Sequence, residues 1–218
     1  MPRVVAILLL FARLWTRFCF LAGCGCDLDV RDKNRNLIFW KGIEMYLETD
    51  RLIIRSIQHG DEKAYAEMAK DGSLSEIGFD ESFSDWSEGW INEAVGLTEK
   101  DDPRANYIPC TIMLKSTGEV IGNVGCTYYE DTDKIGICYF AGAKYRRNGY
   151  VSEAAKAYAS YFFEHYEENE IIATIKANNV YSWKTAERAG FRLVETRMYK
   201  DIDDEKEELY RFYSLKRG

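Results

Sequence analysis

A basic turn that runs into a helical pattern is the segment with the clearest potential for chemistry. It reads Lys144-Tyr145-Arg146-Arg147-Asn148-Gly149, and helical spacing of apolar residues starts at Tyr150. The first turn of a helix exposes several backbone N–H groups together with the positive end of the helix dipole, which is what a pyrophosphate requires. The segment therefore predicts an anion site at a helix start. For these residues alone, a solvated basic loop is an equally good interpretation.

The elements that would position this turn form one domain from Met45 onward. Runs of β-branched and alternating apolar residues predict strands, and apolar residues at helical spacing predict helices. The order is one strand, two helices, three antiparallel strands, a long helix, a strand, a short helix and two strands. This order predicts a mixed α/β (α+β) fold with a mostly antiparallel central sheet flanked by helices. The predicted strands cover residues 52–57, 107–115, 119–129, 135–140, 171–177, 192–199 and 208–215, and the helices cover 61–70, a segment capped near Ser84, 150–166 and 181–189.

The composition excludes several classes of protein. A hydrophobic fraction of 46% over 218 residues is too high for a disordered chain. The net charge is -7 and the excess acid lies after residue 44, so the surface repels nucleic acid and favours a cationic substrate. The six cysteines and two histidines show no zinc spacing, which predicts no metal and buried free thiols in a reducing cytoplasm. We expect a monomer or homodimer that binds neither nucleic acid nor membrane.

The first 44 residues allow three interpretations. Leu21-Ala22-Gly23-Cys24 matches a lipoprotein cleavage pattern, but Arg13 and Arg17 interrupt the apolar run that an export signal needs. An ordered extension is the second possibility. The third follows from the genetic code, because residues 41–44 must be encoded by a purine-rich stretch that resembles a ribosome-binding sequence before Met45. We therefore predict that residues 1–44 are a non-native leader or disordered extension, and that 45–218 form the domain.

Four local sequence patterns lie in a characteristic order and spacing along the chain. They are residues 47–52 (Leu-Glu-Thr-Asp-Arg-Leu), 118–122 (Gly-Glu-Val-Ile-Gly), the 146–154 loop and helix start, and Asn179-Val180-Tyr181-Ser182 followed by 187–191 (Glu-Arg-Ala-Gly-Phe). Together they resemble the GNAT superfamily of N-acetyltransferases, in particular the branch with ribosomal-protein N-terminal acetyltransferases. The resemblance covers residues 47–214. Rossmann and P-loop folds are excluded because their glycine motifs are missing.

The resemblance implies acetyl-CoA as co-substrate and a primary amine as acceptor. The family's loop pattern is Arg/Gln-x-x-Gly-x-Gly/Ala, and Arg146, Gly149 and Val151 occupy its three defined positions. Val151 departs from the pattern, and its branched side chain leaves less room beside the phosphates. The backbone from Arg147 through Asn148, Gly149, Tyr150 and Val151 to Ser152 is expected to hold the pyrophosphate. The pantetheine arm is expected between the strands 135–140 and 171–177, with Asn179 contacting it.

The resemblance identifies the catalytic residues less completely than the cofactor-binding residues. The resemblance implies that a backbone N–H near Phe140 or Ala141 stabilises the oxyanion and that Ser182 protonates the departing thiolate, although a serine early in a helix is often only a cap. Many relatives carry a glutamate base at the position of Gly136, so here the usual base is missing. The other candidates are Asp133, Glu130, Tyr139 or a water chain.

The missing base affects the expected acceptor. A lysine-like amine of pKa about 10.4 costs roughly 4 to 5 kcal/mol to neutralise at pH 7, whereas an α-amine of pKa about 8 costs roughly 1. We therefore predict a protein or peptide N-terminus first and a small-molecule amine second, with Trp86 and Trp90 lining the acceptor site. The alternative function is a catalytically silent acyl-CoA-binding module of the same fold.

Overall fold

Eight strands of the described residues form one twisted sheet, and four helices pack on its two faces. The computed structural model describes residues 30–31, 37–38, 45–201 and 204–218. The predictions about a leader, an export signal and Cys24 therefore lie outside the described residues. Before the main sheet, β1 (Val30–Arg31) and β2 (Leu37–Ile38) pair with each other in antiparallel fashion.

The main sheet has the strand order β3-β4-β5-β6-β7-β8-β10-β9, and every neighbouring pair is antiparallel except β7 with β8. This arrangement confirms the predicted fold class. The strands are β3 (Tyr46–Glu48), β4 (Leu52–Ser56), β5 (Tyr107–Leu114), β6 (Val120–Tyr129), β7 (Lys134–Ala141), β8 (Glu170–Lys176), β9 (Arg192–Tyr199) and β10 (Glu208–Lys216). The helices are α1 (Asp61–Ala69), α2 (Phe83–Lys100), α3 (Tyr150–His165) and α4 (Val180–Ala189).

Two predictions about the elements need correction. The strand β3 was not predicted, because three residues are too few to show an alternating pattern. Helix α2 is capped at Ser82 rather than near Ser84. It starts earlier because Phe83 is fully buried and its ring lies 4.4 Å from that of Phe79 and 4.6 Å from that of Trp86.

The two faces of the sheet carry different helix pairs. Helices α1 and α2 contact each other and cover β5 and β6 on one face, while α3 lies against β6 and β7 on the other face and contacts α4. Helix α3 buries the apolar stripe that its spacing predicted, with Ala154, Ala155, Tyr158 and Phe162 all inaccessible to solvent. Burial of this stripe fixes the start of α3 next to the end of β7.

The sheet opens between its only parallel pair among the described residues. Strands β7 and β8 share a single register pair, Gly136 with Ile172, whereas β6 and β7 share eight. The two strands diverge beyond that pair, because β7 stays with β6 and β8 stays with β10. Residues 137–141 of β7 and 173–176 of β8 therefore have no register partners in each other, and this unpaired region between the two strands is called the opening below.

Candidate functional site

The basic turn lies between the end of β7 and the start of α3. A 3₁₀ turn at Ala143–Tyr145 is followed by Arg147 with φ of 65° and Gly149 with φ of 77°. Both residues are in the left-handed region, which glycine adopts freely and arginine adopts at a cost of about 1 kcal/mol or more. Such conformations turn successive peptide groups so that their N–H groups point to one side.

The carbonyl groups of this turn are tied back by side chains. Asn148 Nδ2 donates to the carbonyls of Tyr145 at 3.2 Å and Arg146 at 3.0 Å. The Asn148 carbonyl accepts from Arg51 Nη1 at 3.0 Å, and that of Gly149 accepts from Ser152 Oγ at 2.9 Å. Since the C=O and N–H of a trans peptide point in opposite directions, the bonds to the Arg146, Asn148 and Gly149 carbonyls direct the N–H groups of Arg147, Gly149 and Tyr150 away from these side chains. The N–H of Arg146, in contrast, donates to the Ala143 carbonyl at 3.2 Å.

Helix α3 adds further free donors to the same place. Its first helical hydrogen bond runs from the N–H of Glu153 to the carbonyl of Gly149 at 3.1 Å. The N–H groups of Tyr150, Val151 and Ser152 therefore have no acceptor within the helix. The Val151 side chain is half-buried and packs against the hydrophobic core. Val151 therefore departs from the loop pattern in its side chain but still offers its backbone N–H as a donor.

The basic side chains of the turn have different roles. Arg146 Nε donates to the Ala141 carbonyl at 3.1 Å and Arg146 Nη2 to the Ser73 carbonyl at 2.9 Å, so this side chain braces the loop. Arg147 Nη2 lies 3.4 Å from the hydroxyl of Tyr181 on α4 and spans the gap between the two helix starts. Lys144 is exposed, with Nζ 3.5 Å from a carboxylate oxygen of Glu119.

The register of β6 and β7 sets which backbone groups face the opening. The N–H of Gly142 donates to the Ile121 carbonyl at 3.1 Å, and Phe140 is the register partner of Asn123. Alternate residues of an antiparallel pair carry the ladder bonds, so the N–H of Phe140 points toward β6 and that of Ala141 toward β8. This direction favours Ala141 over Phe140 as a donor into the opening.

The two predicted catalytic hydroxyls lie together on the α4 side of the opening. Tyr139 donates to the Ser182 carbonyl at 2.8 Å, and Ser182 Oγ donates to the Tyr139 hydroxyl at 3.3 Å. Burial raises the pKa of Tyr139 to about 12, which removes it as a general base at neutral pH. Asn179 accepts from the Ser182 N–H at 3.1 Å and caps α4, so its amide NH₂ is the part left for another partner.

The opposite face of the sheet carries a cluster of aromatic residues. Phe140 on β7 contacts Tyr65 at 5.7 Å and Phe79 at 5.3 Å between ring centroids. Trp90 also contacts Phe79, at 5.2 Å, and Trp86 contacts it at 6.0 Å. Both tryptophans predicted to line an acceptor site are half-buried and border this cluster.

A tyrosine ring occupies the space beside Gly136. A Cβ atom at residue 136 would lie 2.4 Å from Tyr129 Cε2 and 3.1 Å from Cδ2. These separations are far below an ordinary carbon–carbon contact of about 3.5–4.0 Å. Any side chain at residue 136, including the glutamate that the resemblance implies, therefore requires the Tyr129 ring to move.

A carboxylate that sequence reasoning missed lies on the same face. Tyr107 donates to Glu93 Oε2 at 3.3 Å. Register pairs place Tyr107, Thr127 and Gly136 in one row across β5, β6 and β7. Burial raises the pKa of Glu93 above its ordinary value, which makes it a stronger base. No sequence motif identifies Glu93, because only the pairing of β5, β6 and β7 in the folded sheet relates its partner Tyr107 to β7.

The acidic candidates from the sequence are less suitable. Asp133 accepts from Tyr128 at 2.7 Å and pairs with Arg104 at 2.9 Å, and these contacts lower its pKa. A carboxylate stabilised in this way is a weak base. Glu130 lies exposed at the β6–β7 turn.

The described residues contain no group of three His, Cys, Asp or Glu side chains that could hold a metal ion, and none of their helices is long and apolar enough to cross a membrane. Of the three described cysteines, Cys110 and Cys126 are buried, whereas Cys138 is exposed, contrary to the expectation of burial.

Comparison with known proteins relates this geometry to one family. The family described as Acetyltransferase (GNAT) domain matches residues 51–192. The curated Uncharacterized N-acetyltransferase YnaD of Bacillus subtilis is 26% identical over 151 residues, which cover 68% of this chain and 83% of that protein.

Solved structures share the fold at lower identity. An acetyltransferase (GNAT family) from Bacillus anthracis superposes with a TM-score of 0.65 at 22% identity, covering 79% of this chain and 98% of its own. An acetyl transferase from Salmonella typhimurium, which modifies the N-terminal serine of 50S ribosomal subunit protein L7/L12, superposes with a TM-score of 0.64 at 12% identity, covering 78% and 97%. The predicted resemblance to the branch with ribosomal-protein acetyltransferases is confirmed at the level of the fold.

Proposed function

This chain belongs to the GNAT family of acetyltransferases, and on that premise we propose that it acetylates an α-amine, first of a protein or peptide N-terminus and second of a small molecule. The family takes the acetyl group from acetyl-CoA. The observation that carries the proposal is the set of outward N–H groups between Arg147 and Ser152, at the mouth of the opening between β7 and β8.

In this proposal the pyrophosphate of acetyl-CoA binds the free N–H groups of the turn and of the first turn of α3. The pantetheine arm enters the opening between β7 and β8, where strand divergence leaves backbone groups without strand partners. The N–H of Ala141 points into this opening and stabilises the oxyanion of the tetrahedral intermediate. Asn179, at the start of α4, contacts the arm through its amide NH₂.

The amine attacks from the aromatic face, which carries Glu93. The ammonium group first loses one proton, and the neutral amine then forms a C–N bond to the thioester carbon. When the tetrahedral intermediate collapses, the C–S bond breaks, the nitrogen releases a second proton and the sulfur gains one. Glu93 accepts the ammonium proton, directly or through the Tyr107 hydroxyl, and solvent takes the second nitrogen proton. Ser182 donates a hydrogen bond and a proton to the thiolate and regains a proton from solvent. The buried Tyr139 hydroxyl holds Ser182 in position.

The substrate preference follows from the strength of the available base. Burial raises the pKa of Glu93, which lowers the free-energy cost of transferring a proton to it from an α-ammonium group of pKa about 8. A lysine ammonium group of pKa about 10.4 requires roughly 3 kcal/mol more. The Salmonella typhimurium acetyl transferase, which shares this fold, modifies an N-terminal serine. This similarity supports an N-terminal amine as the substrate class to test first.

The test is a CoA-release assay across matched amines. One peptide has a free N-terminus and no lysine, and its partner has an acetylated N-terminus and one internal lysine, while polyamines and aminoglycosides complete the set. We expect release with the free N-terminus and little with the lysine peptide. Activity confined to lysine, polyamine or aminoglycoside side-chain amines would refute the α-amine proposal, and CoA binding without release from any amine would favour a silent module.

A further inference from the structure

We propose that the β3–β4 hairpin is a clamp that orients the pyrophosphate loop, with Thr49 and Arg51 as positioning residues for acetyl-CoA. The clamp is defined as Thr49, Arg51 and Glu153. It gives a role to the Leu47–Leu52 pattern, which no step of the reaction uses. The inference rests on the proposed function of the loop.

Three hydrogen bonds join the hairpin to one carboxylate of α3. Thr49 Oγ1 donates to Glu153 Oε1 at 2.5 Å, and the Arg51 N–H donates to the same oxygen at 3.1 Å. Arg51 Nε donates to Glu153 Oε2 at 2.7 Å, and Nη2 lies 2.6 Å from that oxygen. The paired N–H groups of a guanidinium fix the direction of a carboxylate as well as attracting it.

The same arginine reaches the turn itself. Its Nη1 donates to the Asn148 carbonyl at 3.0 Å, and its guanidinium lies 4.7 Å from the centroid of the Tyr150 ring. Because the Asn148 carbonyl and the Gly149 N–H belong to one planar peptide, holding the oxygen sets the direction of that N–H. Arg51 therefore acts on the loop through its backbone, without occupying the side where the phosphates bind.

The Glu153 carboxylate is suited to this role. Burial opposes its ionisation, but the bonds from Thr49 and Arg51 prevail and lower its pKa, so the clamp is charged at neutral pH. A carboxylate in the first turn of a helix interacts favourably with the helix dipole. Arg51 neutralises that carboxylate, so it does not repel an incoming anion.

The position of the clamp favours a role in binding over one in stability. The Arg51 side chain is 48% exposed and that of Glu153 is 20% exposed, so solvent screens the pair from the arginine side and limits its contribution to folding stability. A small rotation of the 148–149 peptide, in contrast, moves a donor out of reach of a phosphate oxygen. The clamp should therefore affect acetyl-CoA affinity more than the unfolding transition.

The experiment compares the full chain with Arg51→Ala, Arg51→Lys, Thr49→Val and Glu153→Gln. Arg51→Ala is expected to raise both the KM for acetyl-CoA and the calorimetric Kd for CoA by roughly 10-fold, with kcat and the amine KM unchanged. Arg51→Lys should recover only part of the loss, since lysine lacks the planar pair of donors. Thr49→Val and Glu153→Gln should each raise both constants less than Arg51→Ala does.

Lys115→Ala is the matched control. Lys115 pairs with Glu48 of the same hairpin at 2.8 Å and is similarly accessible, but this pair does not contact α3. Its removal should leave CoA affinity unchanged. Equal effects of Lys115→Ala and Arg51→Ala would overturn the clamp, as would a loss of kcat or amine binding in Arg51→Ala that parallels a lower unfolding midpoint.

The two proposals fail in different ways. A wild-type chain that binds CoA but acetylates no α-amine overturns the proposed acceptor, and calorimetry of the variants still decides the clamp. Additive losses in an Arg51→Ala/Glu153→Ala double variant would show that the two residues act separately and would overturn the clamp alone. A wild-type chain that binds no CoA overturns both.

Discussion

Replacement of Gly136 by alanine tests why the usual glutamate base is missing. The new Cβ would lie 2.4 Å from Tyr129 Cε2, so the ring must retreat by about 1 Å to reach an ordinary contact. Overpacking of this kind costs roughly 1–3 kcal/mol, and loss of glycine flexibility in the unfolded chain returns about 0.5–1. We expect Gly136→Ala to lower the free energy of unfolding by roughly 1–2 kcal/mol.

The assay is urea unfolding of a double-mutant cycle. Tyr129→Ala alone should also be destabilising, because it removes a half-buried aromatic ring. In the Tyr129→Ala background Gly136→Ala should be neutral or slightly stabilising, because the clashing ring is gone. Gly89→Ala on α2, where a Cβ would meet nothing within 4 Å, is the control and should be neutral or stabilising. A Gly136→Ala variant as stable as the wild type, or one equally costly in both backgrounds, would refute the steric explanation.

Two further predictions concern the reaction. Glu93→Gln should lower kcat/KM by roughly 10²-fold. The wild-type rate should fall as pH drops through the raised pKa of Glu93, because only the ionised carboxylate accepts a proton. A pH–rate profile of Glu93→Gln that keeps the same fall at low pH would contradict the assignment. Ser182→Ala should lower kcat by roughly 10-fold with little change in the KM for acetyl-CoA, and Tyr139→Phe should have a smaller effect; steady-state kinetics with an unchanged kcat in Ser182→Ala would leave Ser182 as a helix residue only.

The elements that could be predicted are those with a strong local signal. Helix α3 and strands β5, β6 and β7 were predicted to within two residues, since each carries a long apolar repeat with a clear start and end. The short strand β3 and the start of α2 were missed or shifted, because burial of Phe83 and pairing with β4 decide them. Local periodicity does not contain such contacts.

The candidate site divides in the same way. The turn from Lys144 to Gly149 was found from its glycine and its charge, both of which are properties of neighbouring residues. The clamp was not found, because Arg51 and Glu153 are separated by 102 positions in the chain. Glu93 was missed for the same reason, since its partner Tyr107 lies on a different element and its access to β7 depends on strand order.

The sequence by itself determined the fold class, the family resemblance and the place of the basic turn that we propose binds the pyrophosphate, because these depend on patterns of adjacent residues. Only the tertiary structure decided how the turn is held and what stands in place of the missing base. Arg51 sets the direction of a backbone donor across the gap between two elements, and Tyr129 fills the volume beside Gly136. The direction of a backbone N–H group and the volume left beside a glycine both depend on packing between residues that are distant in the sequence.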